Sequence, residues 1–384
     1  MIRNLWYAVL ESNELKDRPL GVTRLGERLV FWRDSDGRPV CFFDRCAHRG
    51  AALALGKVIR QEPLDGAAAF SPGGSSGIPA PSPGSSSRAL DAAPGACGGG
   101  VIQCPFHGLE YDASGRCVKI PANGKNASIP PQFMMRRYPA HEAHGIIWIW
   151  WGESPPEDLP APAFFEDLSD MKIWRTVQDP WDNHYTKVME NQLDVVHLPF
   201  VHHNTIGRGN RTLVEGPGLE WKGQTMFFVY PYNKEDDGGR PRTPKEVPVP
   251  PKDREFRLEL ILPNLWENYI SSKVRILGIF APVDETHTIL YLRFYQSFMK
   301  APVLRGLVMR MASWFNLVIA RQDRRVVNTQ IPKRDGTGTG ELLIQGDHPI
   351  MEFRKKRMEL KRAAAPAMVP AAPPTTAWQP HGTP

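Results

Sequence analysis

Cys46-Ala-His48-Arg-Gly50 and Cys104-Pro-Phe-His107-Gly108 are the two stretches on which the reading of this chain turns. Each sets one cysteine and one histidine within a few residues and follows them with a glycine. Together Cys46, His48, Cys104 and His107 offer two thiolates and two imidazoles, the ligand set of a [2Fe-2S] centre in which histidines replace cysteines on one iron. The glycines let the backbone turn tightly, so that amide N–H groups can approach the cluster sulfurs. A Cys2His2 zinc site uses the same ligand types, but Cys-x-His with Cys-x-x-His-Gly is not zinc-finger spacing. Cys41 and Cys117 read as packing residues.

Around these clusters the chain alternates short β-rich runs with turns. Gly21 to Leu25, Leu29 to Trp32 and Val40 to Phe43 read as strands, with Asp34-Ser-Asp-Gly37 and Tyr111-Asp-Ala-Ser-Gly115 as turns. The apolar run from Gly145 to Gly152 reads as a buried closing strand, which makes residues 1–152 a small all-β domain. One segment breaks the pattern: from Gly66 to Gly100, Ala, Gly, Ser and Pro make up 29 of 35 residues. That composition buries too little apolar surface to offset its ordering entropy, so residues of about 60–100, Cys97 included, read as a disordered insertion. Loop-closure entropy grows only logarithmically with length, so the metal site tolerates it.

A Pro-rich linker at 153–162 leads into a second unit at 163–362. Helical signals run from about Trp181 to Val196, and strands follow near Gly218 to Tyr230, Glu255 to Leu262, Glu267 to Ala281 and Thr286 to Met299. A long helix then spans about Pro302 to Asn328. Its stripe of Leu304, Leu307, Val308, Met311, Phe315, Val318, Ile319 and Val326 predicts packing on a sheet. The order predicts an α+β fold: an all-β domain, then an α+β domain with an antiparallel sheet and a long C-terminal helix. Residues 363–384 have the composition of a disordered tail.

The second unit holds Asn191-Gln-Leu-Asp194-Val-Val-His197-Leu-Pro-Phe-Val-His202. Asn191, Asp194 and His197 are three apart and would share one helix face, with Pro199 breaking the helix so that His202 swings back. His203 competes with His202 by adjacency. Asp323 falls on the apolar stripe of the long helix, where a carboxylate needs a partner or a metal. A salt bridge to Arg324 or Arg325 is the alternative, and Glu190 and Asp182 are weaker ligand candidates. Two histidines and one carboxylate form the facial triad of non-haem Fe(II) sites, leaving positions for O2 and substrate.

These motifs, with Arg321-Gln-Asp323-Arg-Arg-Val-Val, resemble the Rieske non-haem iron oxygenases, in particular the oxygenase components of the phthalate, vanillate and chlorophyllide a oxygenase type. The likeness spans about residues 1–362 without the insertion. Respiratory Rieske proteins carry an extra disulfide-forming cysteine in each loop; Ala51 and Phe106 stand there in this chain. The resemblance implies that Cys46, His48, Cys104 and His107 hold the [2Fe-2S] cluster and that His197, His202 and Asp323 hold a mononuclear Fe(II). It implies further that Asp194 bridges His197 to His107 of a neighbouring subunit in a ring, usually a homotrimer. A ferredoxin or an NAD(P)H-dependent reductase would supply electrons, and the substrate would be a small organic, aromatic molecule. Hydroxylation or oxidative demethylation is the leading activity. Aromatic-ring cis-dihydroxylation, an electron carrier without oxygenase activity and a zinc-binding module are the alternatives.

Composition narrows the rest. The 384 residues, 41% hydrophobic and 23% charged, read as a soluble globular chain with room for two domains. A net charge of +6 with basic residues dispersed, and no nucleic-acid motif, argues against a nucleic-acid partner. The densest basic run, Arg354 to Arg357 with Lys361 and Arg362, reads as a solvated helix end. Five cysteines make no extracellular disulfide framework, and a reducing cytoplasm fits. The N-terminus lacks a signal-peptide core, and Val303 to Ala320, interrupted by Arg305 and Arg310, reads as an amphipathic helix rather than a membrane span. Gly336-Thr-Gly-Thr-Gly340 lacks dinucleotide-binding spacing and reads as a loop.

Overall fold

Among the described residues, eleven strands fill the N-terminal part: β1 (Leu5–Glu11), β2 (Leu20–Arg24), β3 (Glu27–Arg33), β4 (Pro39–Phe43), β5 (Lys57–Ile59), β6 (Val101–Gln103), β7 (Glu110–Tyr111), β8 (Cys117–Lys119), β9 (Arg137–Tyr138), β10 (Ala140–Ala143) and β11 (Ile146–Trp151). The computed structural model describes residues 1–60, 100–152, 159–253, 255–334 and 340–364. The expected insertion with Cys97, most of the linker, most of the 336–340 loop and the tail therefore lie outside the described residues. The strands pair antiparallel in three small sheets ordered β1-β11-β10, β2-β3-β4-β9 and β5-β6-β7-β8. All six residues of β11 are buried, as its unbroken apolar run requires. Asp34 makes the β3–β4 turn by accepting N–H bonds from Asp36 (3.0 Å) and Arg38 (2.8 Å).

The ends of the long segment between the metal loops are adjacent in space. Ile59 and Val101 face each other across the β5–β6 ladder, so this connection leaves and re-enters the sheet at one point. The ladder fixes the relative position of the two loops whatever the connection's length.

The C-terminal part comprises α1 (Glu166–Ser169), β12 (Trp174–Trp181), α2 (Tyr185–Leu193), α3 (Leu198–Val201), β13 (Leu213–Lys222), β14 (Met226–Lys234), β15 (Arg257–Ile261), β16 (Leu265–Ser271), β17 (Val274–Pro282), β18 (Thr288–Gln296), α4 (Pro302–Val327) and α5 (His348–Ala363). Its strands form one antiparallel sheet of seven, ordered β12-β18-β17-β16-β15-β14-β13. The fold is α+β, as the order of sequence patterns predicts.

Several boundaries differ from the sequence reading. Gly218 to Tyr230 is not one strand but a hairpin of β13 and β14, turning at Gly223 with φ 72°. Glu267 to Ala281 likewise divides into β16 and β17. The turns are the polar segments Lys222-Gly-Gln-Thr225 and Ser271-Ser-Lys273, each short and flanked by β-forming residues, so that the two strands read as one run. Trp181 closes β12, and the helix after it covers only α2.

The long helix α4 differs most. It faces the protein with Met309, Ser313, Asn316, Ala320, Asp323 and Val327. Leu304, Leu307, Met311 and Phe315 from the expected buried stripe are instead 42–62% exposed. Between Met309 and Val327 the buried positions are small or polar, and the stripe is split: Phe315 and Ile319 line a cavity, while Leu304, Leu307 and Met311 face outward. This is the one helix among the described residues long and apolar enough to cross a membrane, and its polar side lies against β12 and β18.

The basic run of α5 is also not simply solvated. Arg354 is paired with Glu190 at 2.6 Å, and Arg357 is 1% exposed with its guanidinium 5.6 Å from the ring centre of Tyr185. Glu190 is thereby committed to Arg354 and Lys187 and is not a metal ligand.

Among the side chains that join the N-terminal sheets to the seven-stranded sheet, Arg293 and Asn264 are the most deeply buried. Arg293 of β18, wholly buried, donates to both carboxylate oxygens of Glu11 on β1 (2.7 and 2.9 Å) and to the carbonyls of His144 and Gly145 (both 2.6 Å). Asn264 takes the N–H of Ala8 (3.2 Å) and donates to its carbonyl (2.8 Å), just where the β1–β11 register slips. A buried ion pair that loses one partner leaves an uncompensated charge. Arg293→Met is therefore predicted to lower unfolding free energy by about 3–5 kcal/mol, measured by urea denaturation; a change within experimental error would show that the junction does not depend on it.

Candidate metal centres and substrate cavity

The two Cys/His loops have one backbone design. Cys46 N–H donates to Ala51 O (2.8 Å) and Gly50 N–H to Cys46 O (2.8 Å); Cys104 N–H donates to Leu109 O (2.8 Å) and Gly108 N–H to Cys104 O (3.1 Å). Gly50 and Gly108 adopt φ 72° and 71°, a left-handed conformation that a side chain would strain, which is the physical reason for glycine at these positions. The cysteines are buried and the histidines exposed, with the His48 and His107 ring centres 4.8 Å apart. Burial pushes the Cys104 thiol pKa up, against N–H groups of Phe106 and His107 that favour its thiolate. The Tyr111 hydroxyl lies 3.1 Å from Cys46 Sγ, a contact that the sequence motif alone does not reveal.

This donor set fits a [2Fe-2S] cluster better than a single zinc ion. Ligands of one tetrahedral ion lie close together, yet among the described residues only His197, His202 and Asp323 bring ligand atoms within 4.8 Å of one another. Four ligands spread over two irons need not converge in that way. Cys41 and Cys117 are buried free thiols, and burial raises both pKa values.

The second site forms where α2 ends. The helix stops at Leu193, so Asp194 and His197 do not continue one helical face as the spacing predicts. Asp194 turns to extended backbone (φ −72°, ψ 113°), and its Oδ1 accepts N–H bonds from Val196 (2.7 Å) and His197 (3.3 Å). That side-chain-capped turn redirects the chain into α3, whose two flanking residues are His197 and His202. Pro199 suits its place in the first turn of α3, where no N–H is required.

Asp323 Oδ1 lies 2.9 Å from His202 Nε2 and 3.4 Å from His197 Nε2. His202 and Asp323 are almost wholly buried, and no hydrogen bond of acceptable direction satisfies that oxygen. Three donor atoms pointing at a common spot rather than at each other suit a cation. The combination of two imidazoles and one carboxylate suits Fe(II). Burial opposes charge on His197, but Asp194 and Asp323 outweigh it and hold the pKa up to about 10. Burial pushes the Asp323 carboxyl up, but His197 and His202 beside it likewise hold it below its usual range. A proton thus takes the cation's electrostatic place when no metal is bound.

Each imidazole has a second partner. His197 Nδ1 is 3.5 Å from Asp194 Oδ2, and His202 Nδ1 donates to Gln322 Oε1 at 2.8 Å, leaving Nε2 free to bind metal. Gln322 also accepts from Thr205 and donates to Asn204 Oδ1. Sequence reasoning missed Gln322, although its adjacency to Asp323 is the available signal. His203 points elsewhere, with Nδ1 3.0 Å from Phe200 O. Arg324 pairs with Asp179 (2.8 Å), not with Asp323, and Asp182 accepts from Asn328.

A cavity of about 550 Å³ opens beside the triad, between the sheet and α4. Leu258, Trp266, Ile276, Leu292, Phe315 and Ile319 give it apolar walls, and Asn191 lines it beside Asp194. Gly278 opposes Trp266 across β16–β17, and a Cβ there would come within 3.2 Å of the indole. The glycine makes room for the ring that forms this wall.

Residues 5–65 and 88–138 match the Rieske [2Fe-2S] domain, and residues 181–363 match the vanillate O-demethylase oxygenase C-terminal domain. The chain belongs to the Rieske non-haem iron oxygenases, a family of oxidoreductases built on a [2Fe-2S] cluster and a mononuclear iron. It is 31% identical over 54% of its length to a putative toluene-4-sulfonate monooxygenase iron-sulfur subunit of Comamonas testosteroni, covering 48% of that protein. It is 25% identical to methylxanthine N1-demethylase NdmA of Pseudomonas putida, over 94% of this chain and 90% of that one. The matched span is thus under half the length of the sulfonate relative, and 36% of the chloroplast protein TIC 55 of Pisum sativum. Dicamba monooxygenase bound to 3,6-dichlorosalicylic acid shares the fold, with a TM-score of 0.65 at 20% identity over 96% of this chain and 99% of that one.

Removing the second partner of a ligating histidine frees its tautomer and ring orientation. Gln322→Leu is predicted to weaken iron binding at the triad about 10–100-fold while the [2Fe-2S] absorption stays unchanged. Metal analysis after dialysis against graded chelator checks this; undiminished retention would mean that His202 is oriented without Gln322.

Proposed function

We propose that this protein is the oxygenase component of a Rieske system, and that it hydroxylates or oxidatively demethylates an aromatic substrate using O2 and externally supplied electrons. The convergence of His197, His202 and Asp323 beside an apolar cavity carries this reading, because an electron carrier needs no such triad. Relatives named for toluene sulfonate, methylxanthine and dicamba support an aromatic substrate.

When bound, the mononuclear iron would supply O2 activation, and the [2Fe-2S] cluster single-electron delivery. Cys46, Cys104, His48 and His107 would hold the cluster, and both imidazoles lie at the surface where an acceptor can approach. Asp194 spends one oxygen on its own turn and keeps the other 3.5 Å from His197 Nδ1, which supports its reading as the electron-bridging residue. Asn191 sits one helical turn earlier and completes the polar side of the site. Leu258, Ile276 and Ile319 exclude water and hold the ring of the substrate.

A ferredoxin or NAD(P)H-dependent reductase is the electron source in this reading. Exposed His107 and half-buried Asp194 suit contact between copies, so the assembly is a homotrimeric ring in which Asp194 of one copy meets the cluster of the next. Two metal-binding thiols without disulfides fit a reducing cytoplasm.

The test is His197→Ala with a surrogate reductase, candidate methoxyaryl substrates and 18O2. The variant is predicted to keep the red-brown cluster absorption and to lose product formation, while the wild type places one labelled oxygen in the product or in released formaldehyde. Unimpaired turnover in the variant would overturn the site assignment, and two labelled oxygens on adjacent ring carbons would show cis-dihydroxylation instead.

A further inference from the structure

The outer side of α4 is apolar and has no partner among the described residues. Val303, Leu304, Leu307, Met311 and Trp314 are 87, 55, 56, 62 and 66% exposed. At 3.6 residues per turn they share one side of the helix, opposite Met309, Ser313, Asn316, Ala320, Asp323 and Val327, which face the protein. Only 22% of the most apolar stretch of α4 is buried, whereas a core helix turns its apolar stripe inward. The first turns also project from the body: Met309 is the first buried residue, and a Cβ on Gly306 would meet nothing within 4 Å. The exposed stripe is about 17 Å long from Val303 to Trp314. A contiguous apolar strip rimmed by charge marks an interaction surface, unlike scattered surface hydrophobics.

The charge around the stripe favours one kind of occupant. No Asp or Glu occurs between Glu285 and Asp323. Lys300 precedes the helix, Arg305 lies in its first turn, and Arg310 stands three residues after Leu307 and four before Trp314, on the border of the stripe. None of these three is paired with a carboxylate among the described residues. The strands under α4 add no free acid: β18 carries none, and Asp179 of β12 is 1% exposed and held by Arg324 at 2.8 Å. A second copy presenting this face would set arginines against arginines. An anionic bilayer supplies both missing partners, phosphates for the cations and an acyl boundary for the apolar side chains. The stripe is a ridge on a projecting helix, a shape that inserts into a yielding surface. It does not span, because the opposite side of α4 is packed on β12 and β18.

We propose that α4 seats this protein on a negatively charged lipid surface, with its axis in the plane of the headgroups. Leu307, Met311 and Trp314 enter the acyl boundary, and Lys300, Arg305 and Arg310 lie on lipid phosphates. This goes beyond the oxygenase reading and does not depend on the reaction catalysed.

The test is flotation of the full-length, cluster-loaded protein with vesicles of equal parts phosphatidylglycerol and phosphatidylcholine, and with vesicles of phosphatidylcholine alone. The wild type is predicted to bind the anionic vesicles at least about 10-fold more tightly than the neutral ones, and to be released as salt is raised. Leu307→Gln with Trp314→Gln is predicted to weaken that binding about 10-fold or more, through lost insertion. Arg305→Gln with Arg310→Gln is predicted to weaken it about 10-fold or more, through lost charge. All four side chains lie outside the core, and an unchanged cluster absorption reports that each variant is folded. Absence of binding to anionic vesicles, equal binding to neutral ones, or a Leu307/Trp314 variant that floats like the wild type would each overturn the proposal. So would a wild type that ignores vesicles while the Leu307/Trp314 variant loses oligomeric state in sedimentation velocity, which would make the stripe a contact between copies. A wild type that ignores vesicles while the same variant raises the KM for a protein electron donor would likewise overturn it, in favour of a protein-docking face.

Discussion

A carboxylate buried between two imidazoles is the constraint from which the catalytic half of this protein follows. Asp323 is 4% exposed, and its Oδ1 lies 2.9 Å from His202 Nε2 without a hydrogen bond of good direction. Burial alone would neutralise such a group, so the arrangement is stable only with a cation, either a metal or a proton on a histidine. The surrounding chain is shaped to hold it. Asp194 makes the turn that separates α2 from α3, α3 sets its two flanking histidines on one side, and α4 turns its small and polar side inward. Gln322 and Asp194 orient the outer nitrogens, so both Nε2 atoms face Asp323.

The N-terminal sheets meet a different demand. A cluster held by two loops needs those loops fixed against each other, and the shared Cys-to-Gly turns and the β5–β6 ladder accomplish this regardless of the length of the connection. Cysteines inside and histidines outside place the sulfurs among N–H donors and a tyrosine hydroxyl, and leave the imidazoles at the surface. Arg293 and Asn264 then tie β1 to the catalytic sheet, using one buried ion pair and one side chain that replaces missing strand hydrogen bonds.

The metal motifs were legible in the sequence because ligand chemistry restricts residue type and spacing more tightly than packing does. Both Cys/His loops, the His197/His202 pair and Asp323 appear as local patterns, and the structure brings the triad together. Asp323 was found partly by a faulty route. The apolar stripe that pointed to it is largely exposed, and the residues sharing its buried face, Ser313, Asn316 and Ala320, give no hydropathy signal. The hairpin turns at Gly223 and between β16 and β17 carry polar signals, Lys222-Gly-Gln-Thr225 and Ser271-Ser-Lys273, but each is so short that the β-forming residues on both sides read as one strand. Arg357 escaped because a charge buried on a tyrosine ring looks in sequence like any solvated arginine. Gln322 and Tyr111 act through a ligand, a role that depends on distance and leaves no spacing of its own.

The most direct measurement of the central claim is iron and acid-labile sulfide per chain, with the electron paramagnetic resonance spectrum of the reduced protein, in wild type and Asp323→Ala. The account predicts about three irons and two sulfides in the wild type, about two irons and two sulfides in the variant, and the same cluster signal in both. A wild-type protein that holds only two irons after reconstitution, or a variant that loses the cluster signal along with the third iron, would contradict two independent iron centres in this chain.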